Sequence, residues 1–331
     1  MTIFDRKFEI ERLSDCVLKE NGWLSDLLQL WHPSGDAISR DTDQEGKKDL
    51  RLAIRNDSLN FYRAGQSVAK VRFDDEGKLQ AKIHNKYVYG ERGREQSYVT
   101  LTSDGYPEEL GSKRLLANGS PACLDGWIAN ANEHVGDEKR FVDLVVARNP
   151  NIIDLEMALP AYSKKPTATR MDLVALEKVG NWWRVVFWEA KLVGDGRARC
   201  EGKGNPKVIQ QLQYYTDWLD YKNHCELVAS AYQNTCRLLE AFHGLAKLVN
   251  PRIEALGPGI IAAAASGAPP LLVDDEPRLL IDDRTRDNSF TEKGHLDKLR
   301  NSKLRNNKLR NTDLHVQMVQ SPDQMTLETR P

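Results

Sequence analysis

Little in this chain of 331 residues points outside a reducing, aqueous compartment. No basic segment followed by an apolar core opens it, so no secretory leader is expected. Its longest small-apolar stretch, Gly257 to Val273, is broken by Gly and Pro and is too short to span a bilayer. The five cysteines, Cys16, Cys123, Cys200, Cys225 and Cys236, are odd in number and scattered. That spacing supports neither a disulfide framework nor a CxxC zinc pattern. His224 and Cys225 are adjacent, which reads as a helix-surface pair rather than ligand geometry. Charge of one sign is also lacking: 47 Lys and Arg stand against 48 Asp and Glu, a net charge of −1. A general polyanion binder is excluded on that balance, and any contact with nucleic acid must rely on local patches. The expectation is a cytoplasmic protein with no membrane part, long enough for two domains.

What is present is concentrated between Asp172 and Lys191. The segment runs Arg170-Met-Asp-Leu-Val-Ala-Leu-Glu177, then Lys178-Val-Gly-Asn181, then Trp182-Trp-Arg-Val-Val-Phe-Trp-Glu-Ala-Lys191. Two β-branched and aromatic runs flanking Gly-Asn predict a hairpin. Counting the register back from Gly180-Asn181 sets Asp172 opposite Glu189. Side chains alternate along a strand, so Glu189 and Lys191 share a face. Two carboxylates and an ammonium are therefore expected to converge at the open end of a sheet. Mg²⁺ takes oxygen ligands and is often held by one or two carboxylates plus waters. Asp172 and Glu189 can supply those carboxylates, and the backbone carbonyl of Ala190 a third oxygen. Lys191 can orient a water or stabilise charge on a phosphate. The plainer reading is an exposed cross-strand ion pair. Against it, Glu189 and Lys191 end a run, Val185-Val-Phe-Trp188, that is apolar enough for a central strand.

Beyond a Gly- and charge-rich loop lies Asn205-Pro-Lys-Val-Ile-Gln-Gln-Leu-Gln-Tyr-Tyr-Thr-Asp-Trp-Leu219. Asn205 suits an N-cap and Pro206 the first helical position. Val208, Leu212, Tyr215 and Leu219 recur at helical spacing, which predicts an amphipathic helix on the sheet. Lys207, Gln211 and Tyr215 share a stripe, so Gln211 can face the site, although a glutamine on a helix is more often solvated surface.

In this order, Asp172, Glu189-Ala-Lys191 and Gln211-Leu-Gln-Tyr-Tyr215 resemble the PD-(D/E)xK nuclease superfamily, the restriction-endonuclease-like fold. The Pro that names the motif is absent before Asp172, where Arg170-Met171 stands. The resemblance covers Asp137 to Leu219 and implies an α/β (α+β) αβββαβ core with a mixed central sheet. It implies a Mg²⁺- or Mn²⁺-dependent hydrolase acting on phosphodiester bonds, with Asp172, Glu189, Lys191 and Gln211 in the catalytic set. It also implies an acidic residue on the first helix. Glu138, opening Asp137-Glu-Lys-Arg-Phe-Val-Asp-Leu-Val-Val-Ala-Arg-Asn149, fits that place, with Glu156 of the first strand as competitor. A helix-opening Glu is otherwise a favourable dipole partner.

Two basic patches and a meander complete the reading. Arg170, Arg197, Arg199, Lys203, Lys207 and Tyr215 surround the site and are the candidate nucleic-acid contacts, with surface solubility as the alternative for the loop cations. Lys298-Leu-Arg-Asn301 recurs as Lys303-Leu-Arg-Asn306 and Lys308-Leu-Arg-Asn311. A five-residue period turns each leucine roughly 140° further round a helix, so residues 298–331 are read as a basic, low-complexity tail that either touches nucleic acid or is disordered, polar and poorly ordered from Thr312 onward. Ahead of the hairpin, Leu50–Arg55, Ser58–Arg63, Ser67–Phe73 and Leu79–His84 alternate with period two. They predict an antiparallel β-rich domain over 1–120 carrying Arg51, Arg55, Arg63, Lys70, Arg72 and Lys82 on one face. Residues 125–297 are then the nuclease-like domain. Late strands are expected at Pro270–Val273 and Arg278–Asp282, and one further helix over Leu227–Val249. The leading function is a metal-dependent nuclease on DNA, in restriction, repair or defence against foreign DNA. An RNA-directed nuclease and a non-catalytic module binding nucleic acid or protein remain as alternatives, as does an oligomer or partner contact through the N-terminal domain.

Overall fold

The computed structural model describes residues 4–13, 22–33, 49–89, 98–102, 124–161, 169–200, 204–305 and 311–330. The fold is mixed α and β, with one antiparallel and one mixed sheet in two compact units. Arg6–Asp143 and Arg237–Leu256 form the first; Met1–Asp5, Leu144–Cys236 and Gly257–Pro331 form the second. The boundary expected near residue 120 therefore moves. The helix Asp137–Arg148 passes from one unit to the other between Asp143 and Leu144, and the helix His224–Val249 between Cys236 and Arg237.

In the first unit, α1 (Trp23–Leu30) buries Trp23, Leu24, Leu27 and Leu28. Strands β1 (Arg51–Arg55), β2 (Ser58–Arg63), β3 (Gln66–Phe73) and β4 (Leu79–His84) follow, then α2 (Asn85–Tyr89) and β5 (Tyr98–Leu101). The sheet runs β1-β2-β3-β4-β5 with every neighbour antiparallel, as the period-two alternation predicts. One face carries Ile54, Leu59, Phe61, Val71, Ala81 and Ile83, all buried. Helix α3 (Leu124–Glu133) and the start of α4 (Asp137–Arg148) complete this unit with the second half of the helix His224–Val249, whose Phe242 packs edge-on to Trp31 with ring centres 5.0 Å apart. The six-residue basic face is not all available. Arg51 is buried and bonds Asp143 at 3.4 Å, while Arg63 bonds Asn132 at 2.7 Å and lies 3.5 Å from Asp143.

In the second unit, β6 (Ile152–Leu159), β7 (Thr169–Val179) and β8 (Trp182–Leu192) form an antiparallel meander. Then come α5 (Lys207–Leu219), α6 (His224–Val249), α7 (Pro258–Ala264), β9 (Leu272–Val273), β10 (Arg278–Asp282), α8 (Asn288–Glu292), α9 (His295–Arg300), β11 (Lys303–Arg305), β12 (Asn311–Asp313) and β13 (Val316–Val319). The sheet order is β13-β10-β8-β7-β6, with β9 also on β8; β9 and β10 run parallel to β8, and β13 parallel to β10. The hairpin turns at Gly180-Asn181 as expected. A left-handed φ of 57° falls on Gly180 and not on Asn181, the type II′ pattern that matches strand twist. Gly257 is required for another reason: a Cβ there would lie 2.0 Å from the Pro150 carbonyl oxygen.

Three expectations fail here. The C-terminal residues are not a loose tail. Leu299, Leu304, Leu314 and Val319 are buried, β11 pairs with β12, and β13 closes the sheet edge. The leucines of the repeat need no common helical face, because the first copy lies on a helix and the second on a strand. His224 is buried, not a surface residue, and its Nδ1 lies 2.7 Å from the Trp218 carbonyl oxygen, while Cys225 donates to Leu219 O. Both satisfy the last carbonyls of α5. That helix also starts one residue late, with Pro206 at the N-cap. Among the described residues no helix is long and apolar enough to cross a membrane, and Cys200, Cys225 and Cys236 are free thiols.

At the turn end of the hairpin, the buried charges Arg278, Glu177 and Asp274 meet the half-buried Arg184. Arg278, 0 % exposed, donates to Glu177 at 2.5 Å and Asp274 at 2.9 Å, and its guanidinium lies 5.4 Å from the Trp188 ring centre. Arg184 pairs with Glu177 from the neighbouring strand. Arg278→Met leaves Glu177 and Asp274 buried without their shared cation, and should cost about 3–5 kcal/mol, read as a lower urea midpoint. Burial acts to raise the Glu177 pKa, but the Arg278 and Arg184 guanidiniums prevail and hold it below the ordinary range. A depressed folded-state pKa gives stability that is complete above the unfolded value, about 4.3, and is lost as pH falls through the folded one. Urea midpoints should hold from neutrality to about pH 5 and fall below about pH 4, less steeply in Glu177→Gln.

Candidate functional site

The second charge cluster lies at the opposite end of the same hairpin. Backbone pairing of β7 with β8 runs from Val179–Trp182 to Leu173–Trp188, and one further step sets Asp172 level with Glu189, as the register count predicts. There the ladder gives way to side chains. The Ala190 amide donates to Asp172 Oδ2 at 2.9 Å. Lys191 Nζ donates to Glu189 Oε1 and, at 2.6 Å, to the Ala190 carbonyl; Asp172 Oδ2 is 3.8 Å away. The ammonium is thus surrounded by the same three oxygen donors singled out as cation ligands.

This cluster is closed rather than open. Asp172 is 7 %, Glu189 2 % and Lys191 1 % exposed, so the expected solvent-facing cleft is absent around these three. The parallel pairing of β10 with β8 through Leu279–Glu189 to Asp282–Leu192 makes β8 a central strand, which explains the burial. An exposed surface ion pair is thereby excluded. Three charges this deep need mutual pairing and hydrogen bonds to offset desolvation.

Glu156 and Glu138 separate. Leu155 pairs with Leu173 and Met157 with Met171, so Glu156 stands level with Asp172 on the adjoining strand. Its φ of 49° is a left-handed value inside a strand, a costly conformation for a side-chain-bearing residue. Glu138 lies on α4, in the part that belongs to the first unit. Of the two candidates for the first acid, only Glu156 shares this sheet. Gln211 approaches from α5, its Nε2 reaching the Arg170 carbonyl at 3.5 Å, two residues from Asp172.

Three of the six expected nucleic-acid contacts, Arg197, Arg199 and Tyr215, are otherwise engaged. Arg197 pairs with Asp195, and its carbonyl accepts from the Val208 amide at 2.9 Å, filling an open donor at the start of α5. Arg199 donates to Val193 O at 2.7 Å and pairs with Asp287. Tyr215 is 1 % exposed and so packs in the core instead of meeting a ligand. Lys203 lies outside the described residues. Arg170 and Lys207 remain exposed, and among the described residues neither makes an ion pair.

Of two neighbouring carboxylates, Asp195 was expected only as a partial offset to the loop cations and Asp154 was not anticipated. Asp195 is partly buried, which acts to raise its pKa, yet Arg197 and, further off, Lys191 hold it below the ordinary range. Asp154, 1 % exposed, accepts from the Tyr232 hydroxyl at 3.0 Å and sits opposite Val174. A carboxylate inside the apolar run Ile152-Ile-Asp-Leu was the available signal. Among the described residues no group of three or more His, Cys, Asp or Glu has metal-binding geometry. No family model, curated protein or solved structure matches this chain.

Lys191→Met should leave two carboxylates buried together and cost about 3–5 kcal/mol. Asp172→Asn keeps an acceptor for the Ala190 amide and leaves Lys191 with Glu189, so about 1–2 kcal/mol is expected. Urea denaturation without divalent cations compares the two, and equal costs would show that Lys191 is not the cation that holds this cluster.

Proposed function

We propose that the protein is a Mg²⁺- or Mn²⁺-dependent nuclease acting on DNA in the cytoplasm, in restriction, repair or defence, its second unit being a restriction-endonuclease-like core. The observation that carries this is the convergence of Asp172, Glu189 and the Ala190 carbonyl around one cationic centre, the Lys191 ammonium. The element order agrees: α4, the antiparallel β6-β7-β8, α5, then β10 parallel to β8.

The donor set fits Mg²⁺ better than Zn²⁺. Two carboxylates and one carbonyl are hard oxygen donors, and Mg²⁺ keeps waters in its remaining positions. Structural zinc favours Cys and His, which this sheet end lacks among the described residues. When bound, such a cation lowers the pKa of a bound water and neutralises charge on a phosphodiester. The chain's own groups do the rest. Asp172 and Glu189 hold the cation; Lys191, released from Glu189 and Ala190, donates to the attacking water or a phosphate oxygen. Glu156 stands level with Asp172 on the adjoining strand, and Gln211 steadies the Arg170 end of β7. Arg170 and Lys207 supply exposed cations for the backbone of the substrate.

One observation favours a second reading, a non-catalytic binding module on the same fold: Lys191 is 1 % exposed and already satisfied by protein oxygens. Metal titration beside cleavage of plasmid, linear duplex, single-stranded DNA and RNA separates the readings. Asp172→Ala and Glu189→Ala should lose cation binding and cleavage together. Lys191→Ala removes no oxygen and one repelling charge, so the cation should bind as well or better while cleavage falls by about 10²–10³-fold. Full cleavage in Lys191→Ala would end the nuclease reading, and no cleavage of any substrate by the native chain would favour the binding module.

A further inference from the structure

The antiparallel sheet of the first unit presents a cationic face that the site above does not use. Strand alternation and the register place Arg55 on β1, Lys70 and Arg72 on β3 and Lys82 on β4 on one face, opposite the apolar one. Lys70 and Lys82 are directly paired, and Arg72 lies one side-chain step along β3, paired with Gln80. Asn60, Gln80 and Thr100 fill further positions on that face, while Ala53, Ser58 and Tyr62, also on it, are buried, so the open part is the β3–β4 side. Lys70 and Arg72 are exposed and Lys82 half-exposed. Among the described residues, no carboxylate pairs with Lys70, Arg72 or Lys82.

Like charges directly opposed across strands are destabilising. In a chain with almost balanced charge, this arrangement works against the fold unless an anion meets it. Partial burial lowers the Lys70 pKa, and the neighbouring Arg72, Lys82 and Arg55 lower it further. Successive same-face residues on a strand lie roughly 6.8 Å apart and neighbouring strands about 4.8 Å, so the cations sample a patch on the order of 14 Å across. A carboxylate or a single phosphate would engage one or two of them. A duplex carries one phosphate charge per about 1.7 Å of axis and can meet Lys70, Arg72 and Lys82 at once.

We propose that this sheet face binds the phosphate backbone of duplex DNA without reading its sequence. The proposal rests on the nuclease reading only for the choice of DNA as occupant. Lys70→Gln, Arg72→Gln and Lys82→Gln combined in the full chain test it, with a labelled short duplex of mixed sequence, chelator present, and fluorescence anisotropy between about 50 and 200 mM salt. Affinity at the low-salt end should fall at least about tenfold, and the slope of log K against log salt should shrink by about 2–3. Removing the same charge at exposed Lys178, Lys293 and Arg300 should leave both nearly unchanged. Because repulsion is relieved, the thermal midpoint of the triple variant should stay level or rise; if that variant does not fold, Lys82→Gln alone carries the test, with a slope change of about 1. Unchanged affinity and slope overturn the proposal, as does a loss confined to single-stranded RNA or an acidic peptide. Cleavage with metal is scored separately: its absence with the binding loss intact defeats the nuclease reading alone.

Discussion

The register of the β7–β8 hairpin governs both buried charge clusters of the second unit. A one-residue slip in a strand moves every side chain to the other face, so the two-residue turn at Gly180-Asn181 decides whether Asp172 meets Glu189 and whether Glu177 meets Arg184. Both pairings hold in one register, at opposite ends of the same ladder. Strand β10 locks it from the other side. Its Arg278 pairs with Trp188 and reaches Glu177, while Ile281 lies beside Lys191. The apolar run Val185 to Trp188 between the clusters keeps them apart and dry.

The two clusters differ in composition. Glu177 and Asp274 meet Arg184 and Arg278, two anions and two cations, joined by several guanidinium hydrogen bonds. Such a set orients strands at little net gain in stability, since desolvation offsets most of the attraction. Asp172, Glu189 and Lys191 bring two carboxylates and one ammonium, and the ammonium sits on a flexible four-carbon stem. A lysine holds a place among oxygens as a point charge, where an arginine would lock it with a planar fork. The first cluster balances its charges; the second sets two carboxylates against one ammonium on a flexible stem.

The hairpin, its register and the helix after it were legible because period and turn chemistry are local. So were the meander of the first unit and the short late strand Arg278–Asp282. Burial was not legible. Arg197, Arg199 and Tyr215 looked like ligand contacts because a loop cation and a stripe position carry no mark of the carboxylate or core that will engage them. Asp195 and Asp287 do that to the arginines, and the sheet does it to Tyr215. The division into units was hidden for a related reason. Helices α4 and α6 each supply side chains to both units, so no composition change marks the boundary. The C-terminal repeat misled because low complexity was taken for low order, whereas Leu299, Leu304 and Leu314 are each buried.

The closed state of Asp172, Glu189 and Lys191 bears directly on how such a site can act. Opening it at the turn end of the hairpin would break a continuous ladder and the Arg278 network together. The far end is weaker. Beyond Leu173–Trp188 the Ala190 amide is held by a side chain and not by β7 backbone. On the adjoining strand Glu156 sits at a left-handed φ, a strain of about 1–3 kcal/mol that persists only while its surroundings impose it. Strain and a missing rung fall on one level of the sheet, that of Asp172. Any opening that exposes the carboxylates gives up the Ala190–Asp172 bond and the Lys191 pairing at this level, while the register stays set by the turn end.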